Sequence, residues 1–335
     1  MTEQTKIPAP QDGQQEEASA SLIERAVGTF GLEGFAPRPV PQNLAQPVNR
    51  PGKRQALRKA EVAADLSGAR EVAPPVVPDR AEPALPPVEF RGKHHPINRT
   101  RLLEQGLIVP EGNVTGLLEE FRIVKRQLLL QAAELRGQGA GAIAQRILVC
   151  SPLPGEGKTY CSLNLALAIA AEKESEVLLV DADFAKPSIL STLDLPQAPG
   201  LMDALADPAI DVADCVMGTD VPGLWVLPAG NATTSDSEYL SSSCTDAVLD
   251  RLTQGAPHRI VIFDSPPALA ASPAAELARH VGQALMVVRC DRTGQGSLED
   301  AISLLSGCPN IQLLLNDVHF SPSGRRFGSY YGYAS

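Results

Sequence analysis

Apolar positions follow two rhythms along this chain, and the change between them falls near Arg146. Beyond it, short apolar runs at Ile147–Cys150, Val177–Val180, Leu224–Leu227, Ile260–Phe263, Ala284–Val288 and Ile311–Leu315 alternate with segments of helical spacing. Most of these runs are unbroken by polar residues, as strands buried on both faces must be. Strands alternating with helices predict an α/β fold, a mainly parallel sheet flanked by helices. Before the change, Leu118, Phe121, Val124 and Leu128 recur at helical spacing, with Glu119, Arg122, Lys125 and Arg126 on the polar side. This pattern predicts a helix over Leu117–Ala133, followed by a Gly/Ala/Gln stretch, Gly137–Gln145.

Periodicity nearly vanishes before residue 97, where prolines crowd the chain. Residues 1–96 read as a mostly disordered, Pro-rich arm. One island interrupts it. Ser21 and Glu24 form a capping box, and Ile23, Val27 and Phe30 follow on one helical face, giving a short amphipathic helix over 21–30. The expected organisation is therefore an arm (1–96), a helical lead-in (97–145), the α/β domain (146–319) and a tail (320–335).

The net charge of -10 argues against nucleic acid as the main partner. Six cysteines are scattered without a CxxC pair, as suits a reducing compartment. Residues 1–20 are polar and acidic, unlike a signal peptide, and no apolar run approaches the ~20 residues of a membrane span. A cytoplasmic protein, reaching a membrane only through a partner, is the expectation.

Between the first strand and the next helix lies Ser151-Pro-Leu-Pro-Gly-Glu-Gly-Lys158-Thr159. Strand, glycine-rich loop, then helix is the setting of a P-loop. Its glycines let backbone N–H groups close on phosphate oxygens, and the helix N-terminus adds its positive end. The nucleotide-binding run is read as Pro154, Gly155, Glu156, Gly157, Lys158, Thr159 and Tyr160. Lys158 is expected on the outer phosphates of ATP, and Thr159 on Mg2+. Pro152 stands where the common form of the motif has its first glycine.

Two further strands end in acids: Val177–Val180 runs into Asp181 and Asp183, and Ile260–Phe263 into Asp264. Ligands of open α/β sheets bind at the carboxyl ends of the strands, so the three acids are expected beside the loop. Asp264 is read as the Mg2+ acid, with Asp181 near the metal or the nucleophile. Strand alternation would turn Asp181 and Asp183 the same way. Asn316, after the last strand, is expected at the adenine edge.

Together, S-x-x-P-G-E-G-K-T, L-L-V-D-A-D-F-x-K-P and I-V-I-F-D-S-P-P resemble the bacterial tyrosine kinases of capsule and exopolysaccharide synthesis (BY-kinases), whose fold is that of the MinD/ParA ATPases, with a deviant Walker motif. Ser21-Leu-Ile-Glu-Arg-Ala, Glu119–Arg126 and the tail look most like the exosortase-associated autokinases of that family. The resemblance implies a kinase that phosphorylates tyrosines of its own C-terminal tail in trans, within a ring of subunits. It also implies a membrane activator of the polysaccharide co-polymerase type and a phosphotyrosine phosphatase as partners. Carried over by residue, Lys158, Asp181 and Asp183 are catalytic, with Asp181 taking or orienting the tyrosine proton. Thr159, Asp264 and Asp181 serve the metal. The ring motif E-x-x-R-x-x-R is matched by Glu119, Arg122 and Lys125, with Lys in place of the final Arg. Ala185 stands where Arg is usual. Without a kinase activity, the same motifs would describe a ParA/MinD-like ATPase switch.

Tyr330, Tyr331 and Tyr333 are three of only five tyrosines and lie within the last six residues, among Gly and Ser. Tyr330 lies fourteen positions beyond Asn316. At ~3.3 Å per residue this tether spans tens of ångströms, enough to reach a neighbouring copy. These three tyrosines are the expected phosphate acceptors.

Overall fold

The computed structural model describes residues 86–319, apart from 232 and 234. The helix expected over 21–30 and the tyrosine tail lie outside the described residues.

The order of apolar runs becomes a single eight-stranded sheet. Its strands are β1 (His94–His95), β2 (Arg146–Cys150), β3 (Glu176–Asp181), β4 (Met217–Thr219), β5 (Leu224–Leu227), β6 (Arg259–Asp264), β7 (Gln283–Arg289) and β8 (Ile311–Asn316). They lie in the order β1-β4-β5-β3-β6-β2-β7-β8. Every neighbouring pair is parallel except β4 with β5. All six expected strands are present. β1 and β4 were not foreseen, because strands of two and three residues are shorter than any readable alternation.

Strand alternation divides the core into two layers. Leu148, Leu178, Val261 and Phe263 pack on one face, and Ile147, Val149, Leu179 and Ile262 on the other. Helices cover both faces, so β2, β3 and β6 are buried almost throughout. This is the reason for their unbroken apolar sequence.

Three helices bear on the site: α1 (Arg99–Glu104), α2 (Gly116–Gly137) and α3 (Lys158–Ala170). Thr115 caps α2 by accepting from the Leu118 N–H at 3.2 Å. The buried stripe of α2 is Phe121, Lys125, Leu128, Ala132 and Leu135. Lys125 thus leaves the polar side assigned to it. Positions three apart on a helix fall about 60° short of a full turn, so Lys125 is rotated about 120° from Glu119, toward the core. Its ammonium donates to the Ala168 carbonyl at 3.1 Å and meets Glu172 at 2.6 Å, neutralising the carbonyl end of α3.

The arm expected over 1–96 ends sooner than its prolines suggest, since residues 86–96 join the domain. Val88 and Phe90 are buried, and β1 extends the sheet. The guanidinium of buried Arg259 lies 3.9 Å from the Phe90 ring centre, while its Nη2 donates to the Val88 carbonyl at 2.9 Å. Arg259 also meets Glu176 at 2.6 Å, so one cation ties this segment to the starts of β3 and β6. Truncating Phe90 to Ala removes both packing and the cover over a buried cation. It is expected to lower stability by about 3–5 kcal/mol, read as a lower urea midpoint at unchanged slope.

Candidate functional site

The parallel sheet aims β2, β3, β6, β7 and β8 at one edge, and the phosphate loop leaves β2 there. Gly155 and Gly157 have φ of 79° and 94°, in the left-handed region that only glycine adopts freely. Gly157 is required twice over, because a Cβ there would stand 2.2 Å from Asn316 Nδ2. It precedes α3 directly, so the loop opens onto a helix N-terminus.

The loop is clamped from inside. The Glu156 carboxylate is buried, accepting from the Leu153 N–H at 2.8 Å and from the Thr293 hydroxyl. Asn316 Nδ2 donates to the Glu156 carbonyl at 2.8 Å. Arg289 ion-pairs with Asp317 at 2.7 Å and reaches the Gly155 carbonyl at 3.4 Å. Asn316, expected at the adenine edge, thus commits its Nδ2 to the loop backbone. Tyr160 points away from the cradle, its hydroxyl donating to the Gly106 carbonyl at 2.9 Å. The side chains of Glu156 and Tyr160 shape and anchor the loop, leaving the backbone of Gly155–Thr159 and the Lys158 ammonium to face a phosphate.

Lys158 Nζ lies 2.9 Å from Asp183 Oδ2. Strand β3 ends at Asp181, so the position of Asp183 is set by the following turn and not by the pleat. The two acids accordingly do different things. Asp181 accepts from the N–H groups of Ser188 and Ile189 at 2.9 and 3.0 Å, and from that of Asp183 at 3.3 Å. Burial pushes its carboxyl up to about 6, against the pull of those three donors. Asp181 therefore orders the chain after β3 as well as standing at its end.

Asp264 faces Asp181 across the β3–β6 ladder. It is fully buried, and Ser162 donates to its Oδ1 at 2.9 Å. Its Oδ2 is buried and has no hydrogen-bond partner among the described residues. Burial raises this carboxyl to about 7; Thr159 and the Lys158 ammonium oppose the shift, and the charge of Asp181 adds to it. A buried carboxylate oxygen left unmet is costly unless a cation completes it. An Mg2+ ion takes one or two protein oxygens and fills the rest of its octahedron with phosphate and water. Thr159 and Asp264 fit that need.

Of the expected site residues, the structure brings together Gly155, Gly157, Lys158, Thr159, Asp181, Asp183 and Asp264. Glu119 and Arg122 ion-pair with each other along α2, far in sequence from the cradle, and Lys125 is turned inward. Ser162, Arg289 and Thr293 were not read from the sequence. Ser162 follows Thr159 by three residues on α3, a spacing that could have revealed it. Nothing local distinguishes Arg289 or Thr293.

Protonation of Asp264 competes with metal. Its carboxyl is raised, so below about pH 7 the metal-free form carries the proton and Mg2+ must displace it. Mg2+ affinity, measured by calorimetry with a non-hydrolysable ATP analogue, is expected to fall by up to about tenfold per pH unit below that point. The share of this slope that disappears in Asp264→Asn belongs to Asp264. An unchanged slope in the variant contradicts the metal assignment.

No protein-family model matches the chain. It is 30% identical over 180 residues to the tyrosine-protein kinase ptk of Acinetobacter johnsonii, covering 53% of this chain and 24% of that protein. It is 27% identical over 233 residues to the tyrosine-protein kinase wzc of Salmonella typhimurium, covering 69% and 31%. To the tyrosine-protein kinase YwqD of Bacillus subtilis it is 29% identical over 162 residues, covering 48% and 67%. The chain thus spans about a quarter of the length of the first of these relatives. Among solved structures, the fold matches the chimerical protein CapA2B2 with a TM-score of 0.53 at 23% identity, covering 68% of this chain and 93% of that one. It matches the kinase domain of the Escherichia coli tyrosine kinase ETK with a TM-score of 0.51 at 19% identity, covering 70% and 93%. In sequence the chain is thus similar to bacterial tyrosine-protein kinases over its α/β domain.

Proposed function

We propose that the chain is an ATP- and Mg2+-dependent protein-tyrosine kinase that phosphorylates the tail tyrosines of another copy of itself and regulates exopolysaccharide synthesis or export. One observation supports this above others: a cradle lysine paired with Asp183 stands beside two acids of adjacent strands, one of which keeps a buried oxygen unmet. The cation supplies charge neutralisation at the phosphates. Lys158 exchanges Asp183 for phosphate oxygens as nucleotide enters, and so stabilises charge that builds as phosphoryl transfer proceeds. The phenolic oxygen bonds to the outer phosphorus, the bond to the bridging oxygen breaks, and ADP leaves. Asp181 accepts the phenolic proton; its pKa of about 6 keeps it mostly ionised at neutral pH, while the phenol, near 10, needs a base.

Several parts of this proposal go beyond the site. Tyr330, Tyr331 and Tyr333 are the acceptors. The active form is a ring-type homo-oligomer, in which Glu119 and Arg122 contribute through α2 and Lys125 contributes by holding α2 on α3. A polysaccharide co-polymerase-type membrane protein activates the chain and brings it to the inner membrane from the cytoplasm, and a phosphotyrosine phosphatase reverses the modification. No helix among the described residues is long and apolar enough to cross a membrane.

Lys158→Met is expected to abolish labelling, with a drop of at least about a hundredfold, while leaving the fold intact. Mixing full-tailed Lys158→Met with active chain carrying Phe at 330, 331 and 333 tests the direction. Label on the former shows transfer in trans. Label in unmixed wild type alone shows transfer in cis. ATP turnover without phosphotyrosine in any combination supports the ATPase switch instead.

A further inference from the structure

Beside the cradle lies a cleft of about 420 Å³ that the chemistry above does not use. Its walls include Phe184 and Ala185, next to Asp183, Pro266, two residues after Asp264, and Pro273. Its rim carries Asp236 and Glu238 on the short helix Asp236–Leu240. Asp236 is held by the backbone and hydroxyl of Thr233 at 2.9 and 2.7 Å, whereas the Glu238 side chain is exposed. Neither acid meets a Lys or Arg among the described residues. The cleft therefore offers an apolar floor with an uncompensated acidic edge, a place for a chain that pairs small or aromatic residues with cations.

This chain contains such a segment. Arg325-Arg326-Phe327-Gly328-Ser329 directly precedes the tyrosine cluster. From Arg325 to Tyr330 is five residues, or about 16 Å when extended. Direction identifies the donor. The cleft lies at the ends of β3 and β6, while β8, from which the tail issues, is at the far edge beyond β2 and β7. The arginines precede the tyrosines, so a chain seated with its arginines in the cleft runs back toward β8 to reach the cradle. A molecule's own tail leaves β8 in the opposite sense and would have to pass the cradle and reverse. A second copy's tail enters from the cleft side without reversal.

We propose that this cleft seats the Arg325-Arg326 pair of a second copy's tail, with Glu238 as the carboxylate that recognises it. The proposal rests on the tyrosine-kinase reading but is tested apart from it, because docking is measured without transfer. The probe is a fluorescent peptide of residues 323–335, bound to the full-length Lys158→Met chain and followed by anisotropy. Glu238→Arg is expected to weaken binding on the order of tenfold. The same loss is expected with wild-type Glu238 when the peptide carries Arg325→Glu and Arg326→Glu. Combining both reversals is expected to restore affinity, which also shows that the Glu238→Arg chain is folded. Peptide binding that is absent, indifferent to Glu238→Arg, or unrescued by the double reversal overturns the cleft. Binding that behaves as expected, in a protein whose active form labels no tyrosine, leaves the cleft standing and defeats the kinase reading.

Discussion

One carboxylate sets the terms for this domain. Asp264 ends a strand buried on both faces; Ser162 meets its Oδ1, and its Oδ2 has no hydrogen-bond partner among the described residues. A fold selected for stability alone would have placed an apolar residue there or supplied a second donor. The sheet instead sets Asp264 opposite Asp181, where burial raises both carboxyls and the charge of Asp181 adds to the rise at Asp264, and begins α3 with Lys158 and Thr159 close by. The oxygen left unmet is one that a cation can complete. Parallel strands make this possible, since each delivers its carboxyl end to the same edge.

Around that centre the loop is held by groups that never face the nucleotide. Glu156 is tied to Thr293, Asn316 to the Glu156 carbonyl, and Arg289 to Asp317 and Gly155. The cradle is therefore fixed to the ends of β7 and β8, the strands from which the following helix and the tail issue. A rigid cradle is pre-organised for phosphate, and the ordering of its backbone is already met in folding. On the other side, Lys125 joins α2 to the end of α3, so an element expected to serve assembly is also a support of the phosphate helix.

Much of this was readable from the chain. The six long apolar runs are the six long strands, since double-sided burial leaves so strong a mark. The glycine loop, Asp181 and Asp264 are where their spacing puts them, at the carboxyl ends of β2, β3 and β6. What was hidden depended on contacts between distant segments. Val88 and Phe90 sit in a proline-rich stretch with no period, and they fold because Arg259, about 170 residues away, covers and binds them. Lys125 looked solvated because charge is normally exposed, yet a helix carbonyl end and Glu172 make a buried place for it. Asp183 looked like the pleated partner of Asp181 because nothing in the sequence shows where β3 stops. Glu156 and Asn316 were expected at the nucleotide, while the bonds of their side chains go to the loop and to Thr293.

The central claim is that Asp264 is kept for a cation and not for the fold. Thermal unfolding of wild type and Asp264→Asn at pH 8, with and without Mg2+ and a non-hydrolysable ATP analogue, addresses it most directly. At that pH the raised carboxyl is ionised in the folded protein at a cost, and the unfolded chain carries no such penalty. Without ligand, the Asn variant is predicted to melt at or above the wild-type temperature, and with ligand to lack the Mg2+-dependent rise that wild type shows. A variant that melts several degrees lower without ligand, yet keeps the full Mg2+-dependent rise, would contradict the account.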